Sequence, residues 1–294
     1  MDLPPPRNLL LIAIAVLGVS TSGPLIAATA APALAIAFWR NLMAVAAIGP
    51  VAVVRCRAEL RALRRGEWAL CAGAGVLLAG HFASWVPSVK LTSVASATAL
   101  VATQPIWAAM LARGLGRRVP RIAWAGIAVA VAGAALVTGV DLTISARAVA
   151  GDLLAVLGGI LAAAYVTAGA ASRRTVSTTV YTTVAYSVCA VLLLAACLLG
   201  GQRLGGYDAG TWTRLVALTV AAQLLGHSLI NLVLSSTSAT VVSLAILFEV
   251  PGAAILAAVF LGQHPAAAAI PGFALLLAGL AVVVRSGTRG VPVE

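Results

Sequence analysis

Glu249 lies in the middle of an apolar run, Leu247-Phe248-Glu249-Val250-Pro251-Gly252, and no other acid is expected at a helix centre. An ionised group in lipid costs roughly 2.5–3.5 kcal/mol at mid-helix on insertion scales, so it must face a bundle interior or a water-filled cavity. Pro251 frees a backbone carbonyl one turn earlier, near Leu247. The chemistry on offer is acceptance of a proton or cation, or binding of a substrate amine. The alternative is a structural acid, protonated and hydrogen-bonded to a neighbouring helix. Arg40, in Phe38-Trp39-Arg40-Asn41, offers a bidentate clamp for a carboxylate or phosphate; its alternative is an arginine that snorkels outward or pairs structurally. His81 and His227 are candidates for a proton relay, or for neutral side chains that tie helices together. Thr103-Gln104-Pro105 brings hydroxyl, amide and freed carbonyl to one depth, and Trp85 and Asn231 are placed to line the same cavity. Trp107 reads as packing or interface.

These residues are set in a duplicated frame. Residues 80–137 read against 226–283 at a constant offset of 146 without a gap. Gly80-His81 falls on Gly226-His227, Pro105 on Pro251, Leu115-Gly116 on Leu261-Gly262, Gly126 on Gly272 and Gly133 on Gly279. Matches at His, Pro and punctuating Gly carry weight that alanine matches do not. The same offset takes Arg40 onto Tyr186, an uncharged counterpart in the second copy. Pro105 and Pro251 therefore interrupt corresponding helices, and paired interruptions are the best sequence pointer to a transporter site.

The composition decides what kind of elements hold these groups. The chain is 62% hydrophobic and 9% charged, where a soluble domain is about 25% charged. It is mostly apolar stretches of about 20 residues, the length that crosses a hydrocarbon core. Backbone groups cannot stay unpaired in lipid, so the stretches are helices, and they lack the alternation of a membrane β-barrel. The net charge of +11 resides in short arginine loops, which argues against nucleic acid as a partner. Cys56, Cys71, Cys189 and Cys197 have no metal-ligand spacing, and no phosphate loop, HExxH or nucleophile elbow is present. Arg7 followed by Leu9–Val19 is signal-like, but the apolar run continues, so a retained first helix is expected.

Hydropathy gives ten spans, near 8–28, 32–54, 67–89, 93–113, 121–140, 151–171, 178–200, 212–235, 238–261 and 266–285. Very short connections fall near Lys90–Thr92 and Ser235–Ser238, so helices three and four, and eight and nine, are antiparallel neighbours. Arg7, the cluster Arg55, Arg57, Arg61, Arg64 and Arg65, then Arg113, Arg117, Arg118 and Arg121, Arg173 and Arg174, and Arg285 and Arg289 fall on one side. Lys90, Arg147, Arg203 and Arg214 fall on the other. The arginine-rich side is cytoplasmic, which predicts both termini inside. Each copy, 1–145 and 146–294, then holds five helices, and an odd number inverts the second copy in the membrane.

The order of the motifs carries a family resemblance. His81-Phe82-Ala83-Ser84-Trp85, Thr92-Ser93-Val94-Ala95-Ser96-Ala97 and Thr103-Gln104-Pro105 recur as Gly226-His227-Ser228, Asn231, Ser238–Ser243 and Glu249-Val250-Pro251-Gly252. Over nearly the whole chain this resembles the EamA branch of the drug/metabolite transporter superfamily. The resemblance implies an inverted-repeat fold of ten helices around a central cavity and movement of small metabolites, often amino acids or their derivatives, and often by efflux. The family's arginine in helix two is matched by Arg40; its helix-nine Glu before Pro is matched by Glu249, with Val250 intervening.

The expectation is thus an all-α polytopic membrane protein of ten transmembrane helices in two inverted five-helix repeats, in the plasma (inner) membrane of a bacterium. Its function is secondary transport, exporting amino acids or related compounds by alternating access. No cofactor or metal is expected, with proton coupling through the intramembrane acid. The alternatives are a membrane-embedded enzyme using Arg40 and the histidines, and a non-transporting membrane protein.

Overall fold

In the computed structural model, residues 5–116, 118–233 and 245–287 are described. The apolar runs fold as helices, in chain order α1 (Pro6–Ser20), α2 (Ser22–Ala28), α3 (Ala33–Arg55), α4 (Arg57–Ala62), α5 (Arg65–Leu91), α6 (Val94–Val101), α7 (Gln104–Gly114), α8 (Arg121–Ile144), α9 (Ala146–Ser172), α10 (Thr178–Leu199) and α11 (Ala209–Leu218). A π-helix (Thr219–His227) leads into α12 (Ser228–Val233). Then come α13 (Glu249–Leu261), a 3-10 turn (Ala267–Ala269) and α14 (Ile270–Gly287). Local chemistry sets several starts. The side chains of Ser93, Ser145, Ser177 and Asp208 accept backbone N–H bonds at the first turns of α6, α9, α10 and α11, satisfying donors that a helix start leaves orphaned. Gly262, at φ +65°, ends α13 in a left-handed conformation that costs glycine little.

Among the described residues, eight helices are long and apolar enough to cross a membrane: Pro6–Ala28, Ala33–Arg55, Arg65–Leu91, Val94–Gly114, Arg121–Ile144, Ala146–Ser172, Thr178–Leu199 and Ala267–Ser286. Residues 209–233 divide into α11, the π-helix and α12, and α13 is apolar but short. Large apolar side chains line the outside, Leu199 at 90% and Val54 at 80% exposure. That surface suits lipid, where leaving water costs these groups nothing. The chain is an integral membrane protein.

One boundary differs from the hydropathy reading. Helices five and six, expected to end at 140 and resume at 151, run on to Ile144 and start again at Ala146, leaving Ser145 alone between them. Asp141, expected in the loop, is therefore helical, and both it and Asp152, at the facing ends of the two helices rather than at a helix centre, are buried. Hydropathy windows end at the first charge, but a hydrogen-bonded backbone has no reason to end there. The short connection after helix three is present as Thr92 and Ser93; the one near Ser235–Ser238 lies outside the described residues.

Packing relates the two copies. α5 packs on α9, and the π-helix and α12 pack on α1; α8 packs on α14, α10 on α3, and α6 on α13. Exchanging each element for its counterpart in the other copy reproduces the pairing, as a pseudo-twofold axis requires. Its direction is fixed where α8 meets α14. A Cβ built on Gly126 would lie 2.8 Å from the carbonyl oxygen of Gly279, and one on Gly133 would lie 2.7 Å from that of Gly272. Position 126 thus faces 279 while 133 faces 272, so these equivalent helices run antiparallel. The second copy is inverted relative to the first. Such backbone contact is possible only between glycines, and close van der Waals approach is what holds helices together in lipid.

Candidate functional site

Arg40 projects from α3 into the bundle at 1% exposure. Its Nε donates to Gln223 Oε1 at 2.8 Å and its Nη1 to Ser22 Oγ at 3.4 Å. The guanidinium carbon lies 4.4 Å from the centroid of Phe82, a cation–π contact strengthened by desolvation. Gln223 in turn donates from Nε2 to Asn41 Oδ1 at 3.4 Å, and Asn41 Nδ2 donates to the carbonyl of Ala37. Tyr186, Cys189 and Glu249 lie within electrostatic range of the guanidinium. Among the described residues, the direct hydrogen-bond partners of this buried cation are thus neutral. An incompletely matched buried charge is costly, which makes the position a ready receptor for an anion. The groups come from both copies: Ser22, Arg40 and Phe82 from the first, Tyr186, Gln223 and Glu249 from the second.

The local backbone explains how these groups meet. Gln223 is carried by the π-helix, whose counterpart in the first copy, residues 73–81, lies in the ordinary α-helix α5. π-helices are rare and concentrate at functional positions. The Cβ of an alanine at Gly18 would lie 2.6 Å from the carbonyl oxygen of Ala221 in this π-helix, so α1 and the π-helix are in backbone contact beside the site. Glu249 is the first residue of α13, partly buried, after turn residues Leu247 and Phe248. A carboxylate there sits at the positive end of the helix dipole. The equivalent break in the first copy falls at Ala102 and Thr103, before Gln104-Pro105 opens α7. The offset places Thr103 on Glu249, so the interruptions of helices four and nine coincide.

His81 meets the carbonyl oxygen of Gly158 through Nδ1 at 2.9 Å. A carbonyl only accepts, so that nitrogen carries the proton. The ring is stacked on Trp85, centroids 5.9 Å apart and planes at 10°. Trp85 is buried and its Nε1 has no hydrogen-bond partner. Thr103 is buried, donates to the carbonyl of Leu100 at 2.6 Å and accepts from Trp107 Nε1 at 3.1 Å. It faces α9, where a Cβ on Gly159 would lie 3.1 Å from its hydroxyl. Gln104 is partly buried at the first position of α7. The candidates therefore form two groups: Arg40, Tyr186 and Glu249 around Gln223, and Thr103 with Trp107 against α9. His81 and Trp85 stand between α5 and α9, with His81 in electrostatic range of Arg40. His227 closes the π-helix and Asn231 lies in α12; their side chains lie outside the described residues.

Sequence reasoning missed Gln223, Ser22 and Phe82. Gln223 was visible as a lone amide in Ala221-Ala222-Gln223-Leu224, but nothing in the sequence announces that a π turn aims it at Arg40.

Two cavities occupy opposite faces. On the arginine-poor face, one of about 620 Å³ is lined by Thr29, Pro32, Lys90, Arg203, Tyr207 and Asp208 among others. Lys90 Nζ donates to the carbonyls of Ala27 and Thr29 at 3.2 and 2.6 Å. On the arginine-rich face, one of about 310 Å³ is lined by Glu59, Ala62, Leu63, Arg64, Glu67 and Thr175. Thr29 and Thr175 are equivalent by the offset, as are Asp208 and Ala62. The smaller cavity is crossed by a bond from the backbone N–H of Ser177 to Glu59 Oε1 at 2.6 Å. On the other face Trp39, next to Arg40, donates from Nε1 to the carbonyl of Leu204 at 2.9 Å and meets Trp212 edge-on at 4.9 Å.

The family model described as "EamA-like transporter family" matches residues 7–139 and again 149–285. The chain belongs to the EamA-like transporter family. Both matches of this EamA-like chain fall on the duplicated helical units, and membership places it among membrane transporters of the drug/metabolite superfamily. A solved structure described only as a protein crystal structure has a TM-score of 0.67 and 19% identity, covering 96% of this chain and 98% of its own. At that identity it speaks for the EamA-like fold alone. No curated protein matches the chain.

Proposed function

We infer that this chain is a secondary transporter that moves a small carboxylate-bearing metabolite, of the amino acid class, out of a bacterial cell by alternating access. The reading places ten helices in two inverted five-helix repeats, 1–145 and 146–294, in the plasma membrane with both termini in the cytoplasm. The observation that carries it is Arg40: a buried guanidinium with neutral hydrogen-bond partners, at a point where α2, α3 and α5 meet the π-helix and α10. Arg40 receives the carboxylate, since guanidinium and carboxylate match in charge and shape. Glu249, opposite in charge and in electrostatic range of Arg40, receives the substrate amine or a proton. Tyr186, His81 and Trp85 border the same space in this reading, with Thr103 and Gln104 forming a second polar group at the break before α7. Equivalent cavities of unequal size on the two faces fit a state that leans open on one side. Inverted copies make the opposite state nearly equal in energy.

The test is solute counterflow in proteoliposomes over a panel of amino acids and their derivatives. Saturable, trans-stimulated uptake of at least one carboxylate-bearing compound is the expected result. Flux without saturation or counterflow identifies a passive pore and ends the reading.

A further inference from the structure

We propose that Asp141 and Asp152 form a proton-binding site at the arginine-poor end of α8 and α9, where the two carboxyl groups share one exchangeable proton that couples to transport. The coupling half rests on the transporter reading; the site itself does not.

The single-residue connection at Ser145 folds α8 and α9 into a tight hairpin. Asp141 and Asp152 are both buried beside it, at 5% and 1% exposure, with their carboxyl groups in interaction range of each other. The hydroxyl of Thr92, from the junction of α5 and α6, donates to Asp141 Oδ2 at 3.4 Å. A separate observation concerns Asp152 alone: both its carboxylate oxygens are buried and neither has a hydrogen-bond partner. The nearest polar groups, the carboxyl of Asp141 and the hydroxyls of Thr92 and Thr138, stand around it without completing a hydrogen bond of normal geometry. The walls are close, since a Cβ on Gly151 would lie 2.8 Å from the backbone nitrogen of Thr92. An orphaned buried carboxylate beside a second one is a strong departure from native practice.

Among the described residues, the charged groups on the neighbouring elements are placed elsewhere: on α5, Arg65 and Glu67 stand at the opposite end and His81 is bonded to the carbonyl of Gly158, further along α9. Lys90 on α5 is engaged with the carbonyls of Ala27 and Thr29. Arg147, on the first turn of α9, is exposed, as is His264 before the 3-10 turn. Arg121 on α8, Arg113 on α7 and Arg285 on α14 stand at the opposite ends of their helices, and α6 carries no ionisable side chain. Two like charges in one buried space without a cation between them do not both persist; the pair holds a proton instead. The exchange is acid–base only. Hydronium gives its proton to a carboxylate oxygen and leaves water, and the reverse step returns it.

Infrared spectroscopy of the full chain in lipid at neutral pH, with aspartate labelled by carbon-13 at the side-chain carboxyl, tests the site without any substrate. The expected result is a protonated-carboxyl band, about one per chain, that moves with the label. It should vanish in the double variant Asp141→Asn/Asp152→Asn and persist in Asp208→Asn. If the double variant does not fold, the labelled wild type still decides, because the remaining aspartates are Asp2, beside the N-terminus, and the exposed Asp208. A wild type without the shifted band overturns the proposal. So does a band retained in the double variant, or one abolished by sodium at fixed pH, which would assign the site to a metal cation. Coupling is read separately: a proton gradient should accelerate counterflow severalfold in the wild type and not in the double variant. Equal acceleration in both removes the pair from coupling, and a chain that carries no amino acid leaves the infrared result standing.

Discussion

Replacing Arg40 by Gln removes the charge and keeps a polar side chain of useful length. In the wild type the guanidinium spends one donor on Gln223 and a longer one on Ser22, and among the described residues its remaining N–H groups stay open to a carboxylate. Hydrogen bonds to charged groups are worth about 1.5–3 kcal/mol each. Two such bonds, at the low end, total about 3 kcal/mol, or roughly a 100-fold loss of affinity at about 1.4 kcal/mol per tenfold. The fold should survive, because a glutamine amide can still serve Gln223, and the cost of burying a cation disappears with it. The assay is half-saturation in counterflow for the best carboxylate-bearing solute, with monodispersity in detergent as the control for folding. The expected outcome is a rise of about 100-fold or more in the Arg40→Gln variant, with the corresponding ester or amide of the solute, which lacks the carboxylate, transported equally by both proteins. Half-saturation within about twofold of wild type in a monodisperse variant would refute the assignment of Arg40 to the carboxylate.

Glu249→Gln should flatten the pH dependence of transport while leaving the protein folded, measured as initial counterflow rates across a pH series; an unchanged profile removes Glu249 from coupling. Gly133→Ala places a methyl 2.7 Å from the carbonyl oxygen of Gly272, so α8 and α14 must separate, and thermal unfolding in detergent should report a loss of about 1–3 kcal/mol. Asp208 caps α11 outside the membrane-spanning segments, and the backbone N–H and then the hydroxyl of Thr211 hold its carboxyl below the usual range. A depressed carboxylate stabilises above the ordinary carboxylate pKa, and the contribution is lost as pH falls through the folded value. Asp208→Ala should therefore lower thermal stability at neutral pH and converge on the wild type in acid; curves that stay parallel contradict the capping role.

Much of the frame was legible because lipid narrows the choices. Helix is the only open-chain structure it admits, so apolar length sufficed to place α3, α5 and α10 within a few residues. The duplication followed from His, Pro and Gly matches at one offset and the inversion from an odd number of spans per copy; the antiparallel glycine contacts of α8 and α14 give the inversion a physical form. Where hydropathy failed, charge misled it: Asp141 read as loop because a carboxylate interrupts an apolar window, whereas a hairpin turned by Ser145 alone keeps it helical and inside, close to Asp152 at the start of the next span. The paired breaks near Pro105 and Pro251 were readable from proline's missing N–H. The neighbours of Arg40 were not, because Gln223 arrives through a change of hydrogen-bond ladder and Ser22 through a break in helix one at Thr21. Neither leaves a mark in composition or period.

Spin-label distances across the two mouths, in lipid, bear most directly on the central claim that inverted copies expose one site to each face in turn. One pair joins Ala31 to Gly205 on the arginine-poor face, and the other joins Ala58 to Thr178 on the arginine-rich face. On addition of a transported solute, the first distance should shorten as the second lengthens, or the reverse, with two populations in each pair. Distances that move in the same direction, or do not move while transport proceeds, would contradict alternating access.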